Sequence, residues 1–491
     1  MTPQQLRNSI LQMAIEGKLT EQRAEDGNAS ELLKEIKAEK ARLIAEKKIK
    51  KEKSLPEISE NEILFEIPDN WIWAYVGDLF MHNTGKAMNS SVKKINKTGS
   101  IRKFITTSNV YWNKLELTNL KEMFFSDDEL ERCTITTGDI LICEGGAYYG
   151  RTAIWNKDYD ICFQNHVHRL RKYKNLINMF FYYIFYFYRN NGLMQSKGTA
   201  MPGLSSVVLH NTVIPLPPLA EQKRIVARLE EILPQVDEYE KAYNELQELN
   251  KKFPDNLKNS LFQMAIEGKL VEQRAEDGNA RDLLKEIQAE KAKLIAEKKI
   301  KKEKPLPEIS EDEIPFEIPD NWVWCKLGMI SNYAQPKVKI KPQEITKNMW
   351  SLDLEDIEKN TGRIISKIST SERSIKGEKV LFKKGNILYS KLRRYLKKIL
   401  IADEDGITTP ELVPFNIYGD SYQEYFLWYL RSPYVDDTVN SVCYGVKMPR
   451  VGTDTMLNLL VPLPPLTEQK RIVAKLEQLL PLCDELGKEC K

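Results

Sequence analysis

The run Gly145-Gly146-Ala147-Tyr148-Tyr149-Gly150-Arg151-Thr152 comes nearest to a known chemical motif. It fits G-x-x-x-x-G-[KR]-T, one residue short of a phosphate-cradling loop. Arg151 stands where a lysine would reach the β- and γ-phosphates, and the rigid guanidinium fork is a poor substitute there. The aligned segment later in the chain, Lys391-Leu392-Arg393-Arg394-Tyr395, keeps no glycine. Nucleotide binding is therefore not expected. His166 and His168 would share one strand face and could begin a metal site, but no third ligand is evident and all four histidines lie in the first half. Glu35-Ile36-Lys37 spells the nuclease pattern E-x-K, on a charged helix where chance supplies it. A methyltransferase would need [DNS]-P-P-[YFW]; Pro217-Pro218 and Pro464-Pro465 are each followed by leucine. No Ser/His/Asp set or carboxylate pair is readable. The expectation is no catalytic residue, no cofactor and no metal.

What remains is cationic, aromatic and polar chemistry. One stretch carries Tyr148, Tyr149, Arg151, Arg169, Arg171, Lys197 and Thr199; another carries Lys391, Arg393, Arg394, Tyr395, Lys397, Lys398, Lys447 and Arg450. Arg and Lys donors reach guanine edges and phosphates, and small polar groups complete readout in a major groove. The competing reading is ordinary surface charge. The DNA-binding candidates are Tyr148, Tyr149, Arg151, Lys197, Thr199, Lys391, Arg393, Arg394, Tyr395, Lys447 and Arg450. The aromatic runs Phe180 to Tyr188 and Tyr425 to Tyr429 suit a domain core better than base stacking.

Composition bounds these readings. Across 491 residues, Lys+Arg 73 against Asp+Glu 70 leaves a net charge of +3, so any basic surface must be local. With 42% hydrophobic and 29% charged residues the chain is globular, long enough for several cores. The 7 cysteines are nowhere spaced as C-x-x-C and read as reduced thiols. The N-terminus has no apolar signal core, and Met179 to Tyr188 is far short of the roughly 20 residues a membrane span needs. A soluble cytoplasmic protein is expected.

A repeat must position these residues. Leu6–Leu79 matches Leu257–Ile330 at an offset of 251, sharing QMAIEGKL, EQRAEDGNA, LIAEKKIKKEK and FEIPDNW. Pro215–Leu233 matches Pro462–Leu480 at an offset of 247, PLPPLAEQKRIVARLEEIL against PLPPLTEQKRIVAKLEQLL. The intervening residues 80–213 and 331–460 look unrelated. Yet the 247 offset puts Gly138-Asp139-Ile140-Leu141 on Gly385-Asn386-Ile387-Leu388, Gly198 on Gly445 and Met201-Pro202 on Met448-Pro449. One domain is thus present twice with its interior rewritten. Pro3 corresponds to Pro254 and Lys491 to Asn244, so one scaffold copy is continuous and the other is split between the two ends. Alike folding of the two copies would bring the termini together about a pseudo-twofold axis.

Apolar residues at Ile225, Leu229, Ile232, Val236, Tyr239, Tyr243 and Leu246 alternate spacings of 4 and 3, the seam of a coiled coil. A helix from Glu221 to Phe253 would be on the order of 50 Å long. Its expected partner is the split copy, Glu468 to Glu485 and Leu6 to Ala14, running antiparallel, with Pro234 and Pro481 kinking or interrupting the pattern. A second helix should follow in each copy, from Ala29 to about Lys51 and from Ala280 to about Lys302, with EKKIKKEK as a solvated face.

The closing G-x-x-M-P, then PLPPLxEQKRIVAxLE, the GKL of QMAIEGKL and the return through PDNWxW resemble the specificity subunit of type I restriction–modification systems. The resemblance covers essentially the whole chain. It implies an α+β fold: two α/β target-recognition domains separated by long antiparallel coiled-coil helices, with a pseudo-twofold internal repeat. The layout would be N-terminal scaffold helices (1–67), a first recognition domain (68–214), a central helical scaffold (215–318), a second recognition domain (319–461) and a C-terminal scaffold helix (462–491). It further implies a non-catalytic subunit that binds double-stranded DNA with a bipartite site, each domain reading one half. Two methyltransferase subunits would dock on the helices, and two restriction subunits can join them. Near-identical scaffolds are what two identical partners about a dyad require, and rewritten domains are what two different half-sites require. The exposed side of Glu221 to Arg228 and Glu468 to Lys475 is the expected docking face. The alternative is a coiled-coil interaction protein whose variable domains bind protein or peptide ligands.

Overall fold

The heptad-spaced residues lie on one helix, Leu219–Ile266, which runs unbroken through Pro234 and Pro254. The C-terminal helix Leu466–Glu489 likewise passes through Pro481. The expected interruptions do not occur, because packed residues flank each proline: Leu229 and Val236 about Pro234, Leu476 and Cys483 about Pro481. Side-chain burial on both sides offsets the one backbone hydrogen bond that each proline forfeits. The structure, a computed structural model, describes residues 1–88, 98–194, 203–442 and 449–489. It divides into two units, Met1–Glu245 and Leu246–Lys491.

In the first unit the N-terminal helix, Pro3–Ile15, is capped by Thr2 and lies antiparallel to the first part of the long helix. Arg7 pairs with Asp237 at 2.5 Å and Glu240 at 3.2 Å, and the Tyr239 hydroxyl donates to Met1 O at 2.9 Å. In the second unit the C-terminal helix stands where the first part of the long helix stands in the first, and Lys258, the counterpart of Arg7, pairs with Asp484 at 2.5 Å. The seam itself is covered only in part. Ile225 and Leu229 are fully buried, whereas Tyr239 is 38% and Leu246 53% exposed.

The second helices, Ala29–Ala45 and Ala280–Ala296, are capped by Asn28 and Asn279. They stop short of the expected Lys51 and Lys302. Lys47 and Lys298 turn left-handed (φ 57° and 59°), and Lys48 N–H and Lys299 N–H bond back to Leu43 O and Leu294 O, closing the helix ends. Ile49 and Ile300 then pack on the cores, so EKKIKKEK leaves the helix rather than forming its face.

Each variable domain begins and ends on a two-stranded antiparallel sheet: Ile72–Tyr75 with Val213–Leu216, and Val323–Lys326 with Leu460–Leu463. The first domain then holds two four-stranded sheets. One is ordered Phe80–Thr84, Val167–Lys172, Ile140–Cys143, Thr152–Ile154. The other is ordered Lys121–Ser126, Gly99–Ile105, Ile161–Phe163, Thr134–Ile135. The second domain has a three-stranded sheet, Ile399–Ile401, Ile387–Ser390, Leu412–Phe415, and a five-stranded one built around Gly406–Thr408. The central strands Ile140–Cys143 and Ile387–Ser390 sit at the 247 offset and are wholly buried. The aromatic runs form helices Asn178–Asn190 and Gln423–Leu430, whose Phe181, Phe185, Phe426 and Tyr429 are fully buried in their cores. The described cysteines, Cys133, Cys143, Cys162, Cys325 and Cys483, are free and buried. Among described residues no helix is long and apolar enough to cross a membrane.

Candidate nucleic-acid interface

After Ile140–Cys143 the chain makes a short turn, Gly146–Tyr148, and returns as strand Thr152–Ile154. The near-match to a phosphate loop is thus strand–turn–strand. It lacks the helix whose N-terminal amides would hold a phosphate. The second domain repeats the device: Ile387–Ser390, turn Arg394–Leu396, strand Ile399–Ile401. Each turn is joined to the segment returning after the G-x-x-M-P motif. Gly145 bridges Gly203, and Leu392 bridges Arg450. Leu204 N–H donates to Glu144 O at 2.6 Å and Val451 N–H to Lys391 O at 3.1 Å. All four partners obey the 247 offset, so the two places singled out from sequence meet in each domain.

In the first turn Tyr148 is exposed, and the Arg151 guanidinium lies between two rings, 4.6 Å from the Tyr148 centroid and 4.9 Å from Tyr111. Tyr111, from a separate hairpin, carries no signal in the sequence; only the fold brings it here. Tyr149 points inward: it is 5% exposed and its hydroxyl donates to Met194 O at 2.6 Å. Arg169 is also interior, donating to Asn83 Oδ1 at 2.5 Å and to Thr134 O, and burial lowers its pKa to about 10. Arg171 is held by Asp139 at 2.6 and 2.8 Å.

In the second turn Arg393 is exposed and Tyr395 is 54% exposed. The other cations have internal partners. Arg394 is buried, donating to the Tyr389 hydroxyl at 2.6 Å and Leu430 O at 2.5 Å, with Asp436 2.8 Å away. Lys397 pairs with the same Asp436, and Lys398 donates to Leu354 O at 2.6 Å. Lys391 and Arg450 share Glu411, at 4.0 and 3.0 Å. Counting cations along the chain missed these two carboxylates, Asp436 and Glu411, because both lie distant in sequence. Lys197, Thr199 and Lys447 lie outside the described residues.

The two histidines face different partners. His168 is buried between His82 (3.0 Å) and Leu204 O (2.7 Å), while His166 is exposed on Glu144 at 2.7 Å. Glu35 of the E-x-K run sits on the surface, paired with Lys174 at 2.7 Å.

The repeated motifs turn out to lock onto one another. Glu221 of EQKRIV is fully buried, accepting from Trp71 Nε1 of PDNW at 2.7 Å and from Gln22 Nε2 of EQRAEDGN at 2.5 Å. Arg224 holds Asp26 at 2.6 Å. Gln222 donates to Pro217 O at 2.9 Å and accepts from Ile177 N–H at 3.1 Å, capping the aromatic helix. Glu468 repeats this with Trp322 at 2.9 Å and Gln273 at 2.5 Å, and Arg471 with Asp277. Burial pushes both glutamate pKa values up, against the lowering from their tryptophan and glutamine donors. Glu221, Gln222, Glu468 and Gln469 point inward, so the exposed side of these two stretches is carried by Lys223, Arg228 and Lys470.

Two α/β domains mounted on one repeated helical joint, each offering a turn of different side chains, define a modular recognition protein. The chain belongs to the family of the type I restriction modification DNA specificity domain, whose family model matches residues 35–250 and 321–491. It is similar to the type I restriction enzyme EcoAI specificity subunit of Escherichia coli, 29% identical over 535 aligned positions that cover 98% of this chain and 89% of that protein. The EcoEI specificity subunit of Escherichia coli is 25% identical, covering 98% and 89%. Among solved structures, the HsdS subunit from Thermoanaerobacter tengcongensis covers 88% of this chain and 94% of its own at 18% identity, with a TM-score of 0.46.

Proposed function

We propose that this chain is the DNA-specificity subunit of a type I restriction–modification complex, working in the cytoplasm and without catalysis of its own. Each recognition domain (68–214 and 319–461) reads one half of a bipartite duplex site. The helical scaffold sets the spacer and docks two methyltransferase subunits, to which two restriction subunits can be added. The observation that carries this is one turn built twice at a constant offset on near-identical joints, with different side chains outward. Tyr148 and Arg151 face DNA in the first domain; Arg393 and Tyr395 do so in the second, with Lys391 and Arg450 beside them on Glu411. Lys197, Thr199 and Lys447, outside the described residues, belong to the same proposed set. Tyr149 and Arg394 support their turns from behind.

A protein- or peptide-binding scaffold is the alternative, and salt separates the two. DNA binding should weaken log-linearly as salt rises, by release of condensed counterions. Inserting a heptad near Tyr243 adds about 10 Å of helix and is expected to lengthen the unspecified spacer by roughly three base pairs at ~3.4 Å each. An unchanged spacer would refute the ruler role.

A further inference from the structure

The two turns share a backbone but spend it differently. In the first, Gly146 and Gly150 have φ of 70° and 75°, the left-handed region that glycine enters freely. At the 247 offset stand Arg393 and Lys397, with φ of 50° and 49°. Side chains with a Cβ rarely adopt that conformation, because Cβ crowds the following carbonyl oxygen. The same turn is therefore available to glycine, and the second domain carries cations there instead. Lys397 repays its place internally by pairing with Asp436. Arg393 does not: its backbone N–H donates to Pro449 O at 2.8 Å, but its side chain is exposed and makes no side-chain hydrogen bond or ion pair among the described residues. The buried Arg394, fixed by Tyr389, Leu430 O and Asp436, anchors the turn from below. Tyr395 stands at the same offset as Tyr148, so each turn carries one tyrosine and one guanidinium, half-buried between rings in the first and exposed in the second. The guanidinium comes from different positions, Arg151 in one and Arg393 in the other.

We propose that Arg393 is the specificity-determining residue with which the second domain reads a guanine, donating two N–H groups to O6 and N7 in the major groove. This rests on the reading of the chain as a DNA-specificity subunit. A left-handed residue has little room to rearrange, and a planar fork on a fixed backbone suits a base edge, whereas a phosphate needs only a mobile point charge. The neighbouring Lys391 and Arg450 are already engaged by Glu411, so they suit the DNA backbone instead.

The test is sequencing of modified bases in genomic DNA from cells carrying the full chain with its methyltransferase, alongside thermal unfolding of the full chain. Arg393→Gly should turn one guanine of the second half-site degenerate, with discrimination falling roughly five- to hundredfold, and leave the first half-site unchanged. Its Tm should hold or rise, since glycine suits the turn. Arg393→Lys should lose the same base, because a point charge cannot replace the fork. An unchanged motif in Arg393→Gly would overturn the assignment. So would uniformly weaker methylation with no base relaxed, which marks a phosphate contact, or a lowered Tm with both half-sites lost, which marks a structural role. A wild-type chain that directs no bipartite motif would instead defeat the underlying reading, whatever Arg393 does.

Discussion

The joints and the turns of this molecule are both duplicated, but they are duplicated at different levels. At the joints the side chains themselves repeat: Trp71 on Glu221 at 2.7 Å and Trp322 on Glu468 at 2.9 Å, with Arg224–Asp26 and Arg471–Asp277 beside them. At the turns the backbone and one tyrosine repeat, and at the two left-handed positions glycine faces arginine and lysine. The joint is internal, so its residues answer to one another and a change at one must be matched by its neighbours. The turn projects outward, so its residues answer to whatever lies outside, and they are free to differ so long as the backbone can be held. Near-identity in the sequence thus marks a buried interlock here, with Lys223, Arg228 and Lys470 left at its surface.

The sharpest way to break this comparison is at the joint. Trp71→Ala and Trp322→Ala each remove a buried ring and leave a buried carboxylate short of a donor. Each should destabilise its unit by about 3–5 kcal/mol in denaturant unfolding. Clearly unequal losses would show that the two joints are not equivalent.

Acid should separate the units next, because all four histidines lie in the first. His82 is half-buried against His168 and His210 near Arg169, and desolvation, then those neighbours, push its pKa from 6.5 down to about 3. It folds neutral, so its contribution is fully present above pH 6.5 and is lost as the unfolded chain takes up protons below it. The first unit should lose on the order of 3 kcal/mol between pH 6.5 and 4 through this group. His82→Gln, which cannot be charged, should flatten that slope, followed by unfolding at a series of pH values. An unaltered slope would mean that other groups govern acid sensitivity.

The smallest expected effect is at the surface of the joints. Lys223→Ala and Lys470→Ala should change unfolding by less than about 0.5 kcal/mol yet weaken co-purification of the methyltransferase subunit. Unchanged association would leave those lysines as solvation for the helices.

The architecture was legible from the repeat because helical periodicity and motif spacing are local properties. The offset of 247 paired the equivalent segments of the two domains; that they are central strands and turns joined to the returning segment is seen only in the fold. The run through Pro234 and Pro481 was not legible, since packing on either side of each proline overrode its local preference. The roles of EQKRIV were hidden for a related reason: charged residue types suggest solvent, and only the fold brings Trp71 and Gln22 to Glu221. Among the candidate residues, cation counts could not distinguish Arg393, which faces out, from Arg394, which Asp436 and Tyr389 hold inside. Tyr111 was invisible because its place beside Arg151 depends entirely on tertiary structure.

The central claim, two half-sites read by two domains on one frame, is tested most directly by exchanging residues 80–213 for another recognition domain and sequencing modified bases in the host DNA. The account predicts a bipartite methylation motif in which one half changes and the other half and the spacer stay as they were. A motif altered in both halves, or a methylome indifferent to the exchange while the methyltransferase is expressed and active, would contradict it.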